Sequence, residues 1–171
     1  MNKIYLCRCG KARSHEFLFY VLEKFYGKIA NESQLQKTEC GKLFLPDLDI
    51  NFNISHSEDL VAIAFGENEL GLDVEKIREK DFSKVSNKYF GNEPKNCEEF
   101  FTLWTKAESF VKYMASSVLL SLKKIVIDGN GFIYDGQKSN ALSKTESFNG
   151  YLFSLTTLNP VFEIIEVTDF E

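Results

Sequence analysis

Apolar residues recur at two different periods along this chain, and the switches between them mark its elements. Residues 3–7 alternate as a short strand. Residues 13–26 follow as a helix, with Phe17, Leu18, Val21, Leu22 and Phe25 forming one stripe at three- and four-residue steps. Gly27 stands where that helix should stop. Loop chemistry surrounds Gly41-Lys42 and Pro46-Asp47. Strands are then expected at 51–55, 60–65 and 70–75, the last two separated by the turn Gly66-Glu67-Asn68. Pro94 and Asn96 precede a helix expected at 98–114, with Phe100, Phe101, Trp104, Phe110 and Val111 on its buried face. Asp128-Gly129-Asn130-Gly131 is a hairpin signal between strands at 124–127 and 132–134. Closing strands are expected at 152–155 and 162–167, and the polar stretch 138–149 reads as a mobile loop. A helix followed by strands occurs in each half, with no linker between. The expected fold is one α+β unit of two packed lobes, about 1–78 and 79–171.

Composition narrows the class. The chain has 171 residues, 44% of them hydrophobic, with 16 Phe and seven Tyr, which suffices for one core rich in aromatic area. The net charge of −5 argues against wholesale nucleic-acid binding, which needs a basic face. The apolar run at the N-terminus is too short for a signal peptide, since Arg8 and Lys11 interrupt it, and no stretch is long enough to span a bilayer. A cytoplasmic location with no membrane partner is expected. Cys7, Cys9, Cys40 and Cys97 lack zinc-site spacing and read as reduced thiols.

Three stretches carry chemistry: Phe52-Asn53-Ile54-Ser55-His56-Ser57, Gly71-Leu72-Asp73-Val74-Glu75, and the run from Trp104 to Lys112. Asp73 and Glu75 lie two apart on a strand, so both carboxylates share a face. Glu108 adds a third from the later helix. Such a set suits a hard divalent cation. By itself an Asp-x-Glu pair is usually a solvated turn, and Glu108 with Lys112 is also an ordinary helix pair. Ser55, His56 and Ser57 offer donors to phosphate, while His15 has no assigned role.

These stretches resemble the 4′-phosphopantetheinyl transferases of the surfactin-synthetase-activating type. That family carries Phe-Asn-x-Ser-His-Ser, Gly-x-Asp-x-Glu and Trp-x-x-Lys-Glu-Ser/Ala-x-x-Lys. Gly41-Lys42 with Pro46-Asp47 resembles its Gly-Lys-Pro loop, and Tyr89-Phe90 with Glu93 its Phe-x-x-x-Glu segment. The resemblance implies a pseudo-twofold, two-lobed fold with coenzyme A between the lobes. Magnesium would be held by Asp73, Glu75 and Glu108. Arg13 and Lys42 would hold the 3′-phosphate, and Ser55, His56 and Lys112 the other phosphates. Glu108 or Glu93 would accept the proton of the serine on an acyl or peptidyl carrier protein. The products would be the holo-carrier and adenosine 3′,5′-bisphosphate, and a monomer is expected.

The chain departs from the family at two places. Ala107 stands where a lysine is expected, with Lys106 about 100 degrees around the helix. Ala115-Ser116-Ser117 replaces a Gly-x-Gly turn. On this reading Ala107 tempers the active site, and Ala107→Lys should speed transfer. The alternatives are a weakened coenzyme A-binding relative or a non-catalytic partner of a biosynthetic assembly. A metal-dependent nuclease is disfavoured by the acidic balance and the lack of a basic stripe.

Overall fold

Strand β1 (Asn2–Cys7) opens the chain, and a single 3₁₀ turn leads into helix α1 (Ser14–Tyr26). Gly27 ends α1 in the left-handed conformation, φ +62°, with its N–H returned to Glu23. A small hairpin of β2 (Gln36–Lys37) and β3 (Leu43–Phe44) precedes three longer strands, β4 (Asn51–Ser57), β5 (Leu60–Gly66) and β6 (Gly71–Lys76). Helix α2 (Ser83–Phe90) follows, then α3 (Cys97–Tyr113) and the short α4 (Val118–Ser121). The chain closes with β7 (Ile125–Asp128), β8 (Gly131–Tyr134), β9 (Gln137–Phe148), β10 (Tyr151–Thr157) and β11 (Phe162–Glu166). This computed structural model describes residues 1–91 and 94–170.

The strands form a four-stranded sheet in the order β11-β1-β5-β4 and a five-stranded sheet in the order β6-β10-β9-β8-β7. The chain crosses between the sheets twice. β6 leaves the first-half strands to pair antiparallel with β10, and β11 returns to lie parallel to β1. The stretch 138–149 forms most of β9, the longest strand, and its reading as a mobile loop is corrected. Polar residues alternate there with buried Ala141 and Ser143, so the strand is half-buried, and low hydrophobicity masked the period of two.

Side-chain alternation stacks the layers. Phe17, Leu18, Val21 and Leu22 of α1 pack on Tyr5, Phe52, Val61, Ile63 and Phe65 of the first sheet. The sheet's other face, with Ile4, Leu6, Ala62 and Ala64, meets Leu72, Val74, Phe153 and Leu155 of the second sheet. Phe110 and Val111 of α3 pack with Phe132 and Ala141 on the second sheet's far side. Thus α1, first sheet, second sheet and α3 lie in that order, an α+β architecture.

Three features hold α3 and β4 against β6 and its neighbour β10. A Cβ on Gly71 would lie 2.0 Å from the Ser109 carbonyl oxygen and 2.3 Å from the Tyr113 nitrogen, so only glycine permits this approach. Thr105 and Ser109 bond the hydroxyls of Ser154 (2.8 Å) and Thr156 (2.7 Å) on β10. On the opposite side, Asn53, Ser55 and Ser57 accept hydrogen bonds from the backbone N–H groups of Leu72 (2.8 Å), Val74 (3.1 Å) and Lys76 (3.0 Å). These alternate side chains do for β4 and β6 what a backbone ladder does within a sheet.

Candidate functional site

The junction between β4, β6 and α3 gathers most of the residues singled out above. On β6, Leu72 and Val74 enter the core between the sheets. The same alternation turns Gly71, Asp73 and Glu75 toward α3. On α3, Glu108 and Lys112 are one turn apart and share a face. Lys112 Nζ donates to Asp73 Oδ1 at 2.7 Å and to Ser55 Oγ at 3.0 Å. Ser55 Oγ also receives the Val74 N–H, so its one proton goes to Asp73 Oδ1, 3.1 Å away. Ser57 Oγ likewise lies 3.1 Å from Glu75 Oε2. Ser55 therefore has no proton left for a phosphate in this arrangement.

Burial pushes the Asp73 carboxyl up, against the opposing pull of the Lys112 ammonium. Burial and then the Asp73 charge raise Glu75. Burial, followed by Asp73, lifts Glu108 to about 7, although Lys112 opposes the rise. His56 lies exposed on the other face of β4; the partial cover of its ring there, then Lys11 and Lys112, lower its pKa from the usual value. Lys11 was not expected from the sequence. It lies on the turn before α1, and no pattern in the chain links it to His56.

Among the described residues no group of three His, Cys, Asp or Glu side chains is gathered tightly enough to hold a metal ion as it stands. The donor chemistry nevertheless fits a hard cation. Asp73 Oδ2 is buried and has no hydrogen-bond partner among the described residues. Asp73 and the two carboxyl groups near it, Glu75 and Glu108, all have raised pKa values, and the Asp73 charge contributes to the rise of both glutamates. A divalent cation would relieve both the orphaned oxygen and the mutual repulsion.

Beside this cluster a cleft of about 230 Å³ is lined by Gly41, Lys42, Asn53, Ile54, Lys112 and Ala115, among others. Lys42 lines it, but its ammonium is turned onto Glu69 and onto the Leu70 carbonyl oxygen at 2.7 Å. Burial lowers the Lys42 pKa while Glu69 pulls it back up. Arg13 stands at the end of the 3₁₀ turn, bonded to Glu16 at 2.9 Å and placed over the Phe170 ring at 4.4 Å. Glu93 lies outside the described residues.

The two departures resolve differently from expectation. Ala107 is fully buried among Phe110, Val111, Leu122, Phe132 and Ala141. It faces the second sheet's core, about 100 degrees around α3 from Glu108. Lys106 reaches the Gly129 carbonyl oxygen at 3.0 Å and Asn130 Oδ1 at 3.3 Å on the β7–β8 turn. Neither residue belongs to the carboxylate junction, so the reading of Ala107 as a tempered phosphate contact is corrected. At the second departure, Ala115 adopts φ +48°, the left-handed turn that a glycine would favour, and α3 ends at Tyr113, close to the expected end.

No protein-family profile matches the chain. The 4′-phosphopantetheinyl transferase gsp of Aneurinibacillus migulanus is 32% identical over 165 residues, 87% of this chain and 67% of that protein. The 4′-phosphopantetheinyl transferase Sfp of Bacillus subtilis (strain 168) is 31% identical over 137 residues, 74% of this chain and 60% of that protein. A putative 4′-phosphopantetheinyl transferase of Haemophilus influenzae is 28% identical over 112 residues, 58% of this chain and 48% of that protein. The chain thus spans from about half to two thirds of these relatives' lengths. Identity over nearly the whole of this chain, in a fold that brings Ser55, Asp73, Glu75, Glu108 and Lys112 to one junction, makes it a member of the 4′-phosphopantetheinyl transferase family.

Proposed function

We propose that this protein transfers the 4′-phosphopantetheine arm of coenzyme A to a serine hydroxyl of an acyl or peptidyl carrier protein. The serine oxygen attacks the pantetheine-side phosphorus, the anhydride bond breaks, and adenosine 3′,5′-bisphosphate leaves. The observation that carries this reading is Lys112 bonded to both Ser55 and Asp73, with Glu75 and Glu108 within electrostatic reach.

Transfer of this kind asks a protein mainly for alignment and charge neutralisation. Lys112, on a helix locked to β6 through Gly71, supplies a cation at the cleft wall. His56, exposed on β4, offers a ring N–H donor to a phosphate oxygen. Lys42 and Arg13 are the candidates for the 3′-phosphate. Lys42 must first release Glu69, and Arg13 must swing from Glu16. Asp73, Glu75 and Glu108 would hold magnesium, which supplies Lewis-acid neutralisation of the pyrophosphate oxygens when bound. Glu108 and Glu93 are the candidates to take the serine proton. Ser55 acts through Asp73 in this reading.

No described helix is long and apolar enough to cross a membrane; the proposed acceptor is a diffusing carrier in the cytoplasm. One chain supplies both sides of the cleft, which supports a monomer. A weakened coenzyme A-binding relative is favoured only by the engagement of Lys42 with Glu69. Release of adenosine 3′,5′-bisphosphate separates the two. It should require magnesium and a carrier with its serine intact. Coenzyme A binding without release would establish the weakened relative.

A further inference from the structure

We propose that Ser57 is a positioning residue that holds Glu75 inward for the cation, an assignment that rests on the magnesium reading above. Ser57 is 7% exposed, and its Oγ receives the Lys76 N–H at 3.0 Å. A hydroxyl has one proton, and here it goes to Glu75 Oε2 at 3.1 Å. The bond therefore favours the ionised carboxylate, the form a cation needs. The same Glu75 oxygen faces a rival. Arg78 Nη2 lies 3.7 Å from it, on a side chain that is 56% exposed. Ser57 draws Glu75 toward β4, and Arg78 draws it toward solvent. Without the hydroxyl, Arg78 is the nearest cation left to that oxygen, and the carboxylate swings outward.

Ser57 also belongs to the row Asn53, Ser55, Ser57 that clamps β6 to β4, so a purely structural role must be separated from an aiming role. Asn53 supplies the comparison. It makes the same kind of bond, to the Leu72 N–H, and hydrogen-bonds no carboxylate among the described residues. Removing an outer partner of a metal ligand typically weakens metal affinity about 10–100-fold.

The test measures Mg²⁺ affinity by calorimetry on the whole protein, without carrier. Ser57→Ala should weaken Mg²⁺ binding by roughly tenfold or more, and Ser57→Thr, which keeps the hydroxyl, should restore it. Adding Arg78→Ala to Ser57→Ala should recover part of the loss, because the outward rival is gone. Asn53→Ala should lower the melting temperature while leaving Mg²⁺ affinity near that of the parent protein. Mg²⁺ affinity unchanged in Ser57→Ala, or weakened equally in Asn53→Ala, would overturn the assignment. Failure of the unsubstituted protein to bind Mg²⁺ would instead overturn the metal reading on which the assignment depends.

Discussion

Lys112 and Asp73 meet across the junction of helix and sheet, Nζ to Oδ1 at 2.7 Å, with the Asp73 side chain 4% exposed. The pair joins the last turn of α3 to the middle of β6. Lys112→Met removes the positive charge and leaves a buried carboxylate. The cation-free protein should lose roughly 3 kcal/mol of stability, the typical cost of removing one partner of a buried pair. Added Mg²⁺ should return part of that loss. Chemical denaturation with and without Mg²⁺ reads this directly. A variant as stable as the parent would mean the pair contributes nothing at the junction.

The His56 ring should titrate below the ordinary histidine value, for which burial is the main cause, followed by Lys11 and Lys112. The sign of its linkage follows. A lowered folded pKa contributes stability that is fully present above the unfolded value. That stability is lost as pH falls through the folded value. NMR titration should show Lys11→Ala and Lys112→Met each raising the His56 pKa and Asp73→Asn lowering it. A normal titration insensitive to all three would place the imidazole outside this electrostatic cluster.

Ala107→Lys should destabilise the protein and give no gain in transfer rate. The methyl group is fully buried beside Phe132 and Ala141, so a lysine stem would overpack the core and its ammonium would lack water. Lys106→Ala should change stability by well under about 1 kcal/mol, since an exposed contact with a turn is all it removes. Thermal melting and initial rates decide the matter. Faster transfer by Ala107→Lys at unchanged melting temperature would show that the side chain reaches the cleft.

Two backbone positions should respond in opposite directions. Gly71→Ala forces a methyl group into the α3 backbone and should cost about 3 kcal/mol or more. Ala115→Gly relieves a left-handed alanine at φ +48° and should gain about 1 kcal/mol, or a rise of a few degrees in melting temperature. Equal tolerance at both sites would mean α3 does not pack on β6 as described.

The legible parts of the sequence were those with a strong period or a specific turn residue. Phe17, Leu18, Val21 and Leu22 of the α1 stripe, the Gly27 stop, the helix start just after Asn96 and the Asp128–Gly131 hairpin lie where the pattern placed them, whereas Phe25, expected in the stripe, is 41% exposed. Period two also put Asp73 and Glu75 on one face. β9 escaped because most of its residues are polar, and helix α2 because its eight residues offer only Val85, Tyr89 and Phe90 as apolar positions, too few to show a period. Ala107 was misread because a motif gives neighbours in sequence, whereas the helix sends adjacent side chains to different faces. The attachment of Lys42 to Glu69 and the approach of Lys11 to His56 are long-range contacts with no local signature. Asn53, Ser55 and Ser57 did carry one: three small polar residues at alternate positions of a strand, the mark of a face that bonds a neighbouring backbone.

The most direct test of the proposed activity is the intact mass of an apo carrier protein after incubation with this protein, coenzyme A and Mg²⁺. A panel of fatty-acid, polyketide and peptide-synthetase carriers covers the acceptor classes. The account predicts that at least one carrier gains the mass of a single phosphopantetheine arm on its serine. That gain should vanish with chelator and with Asp73→Asn. Unmodified carriers throughout the panel, with the protein folded and coenzyme A and Mg²⁺ in excess, would contradict it.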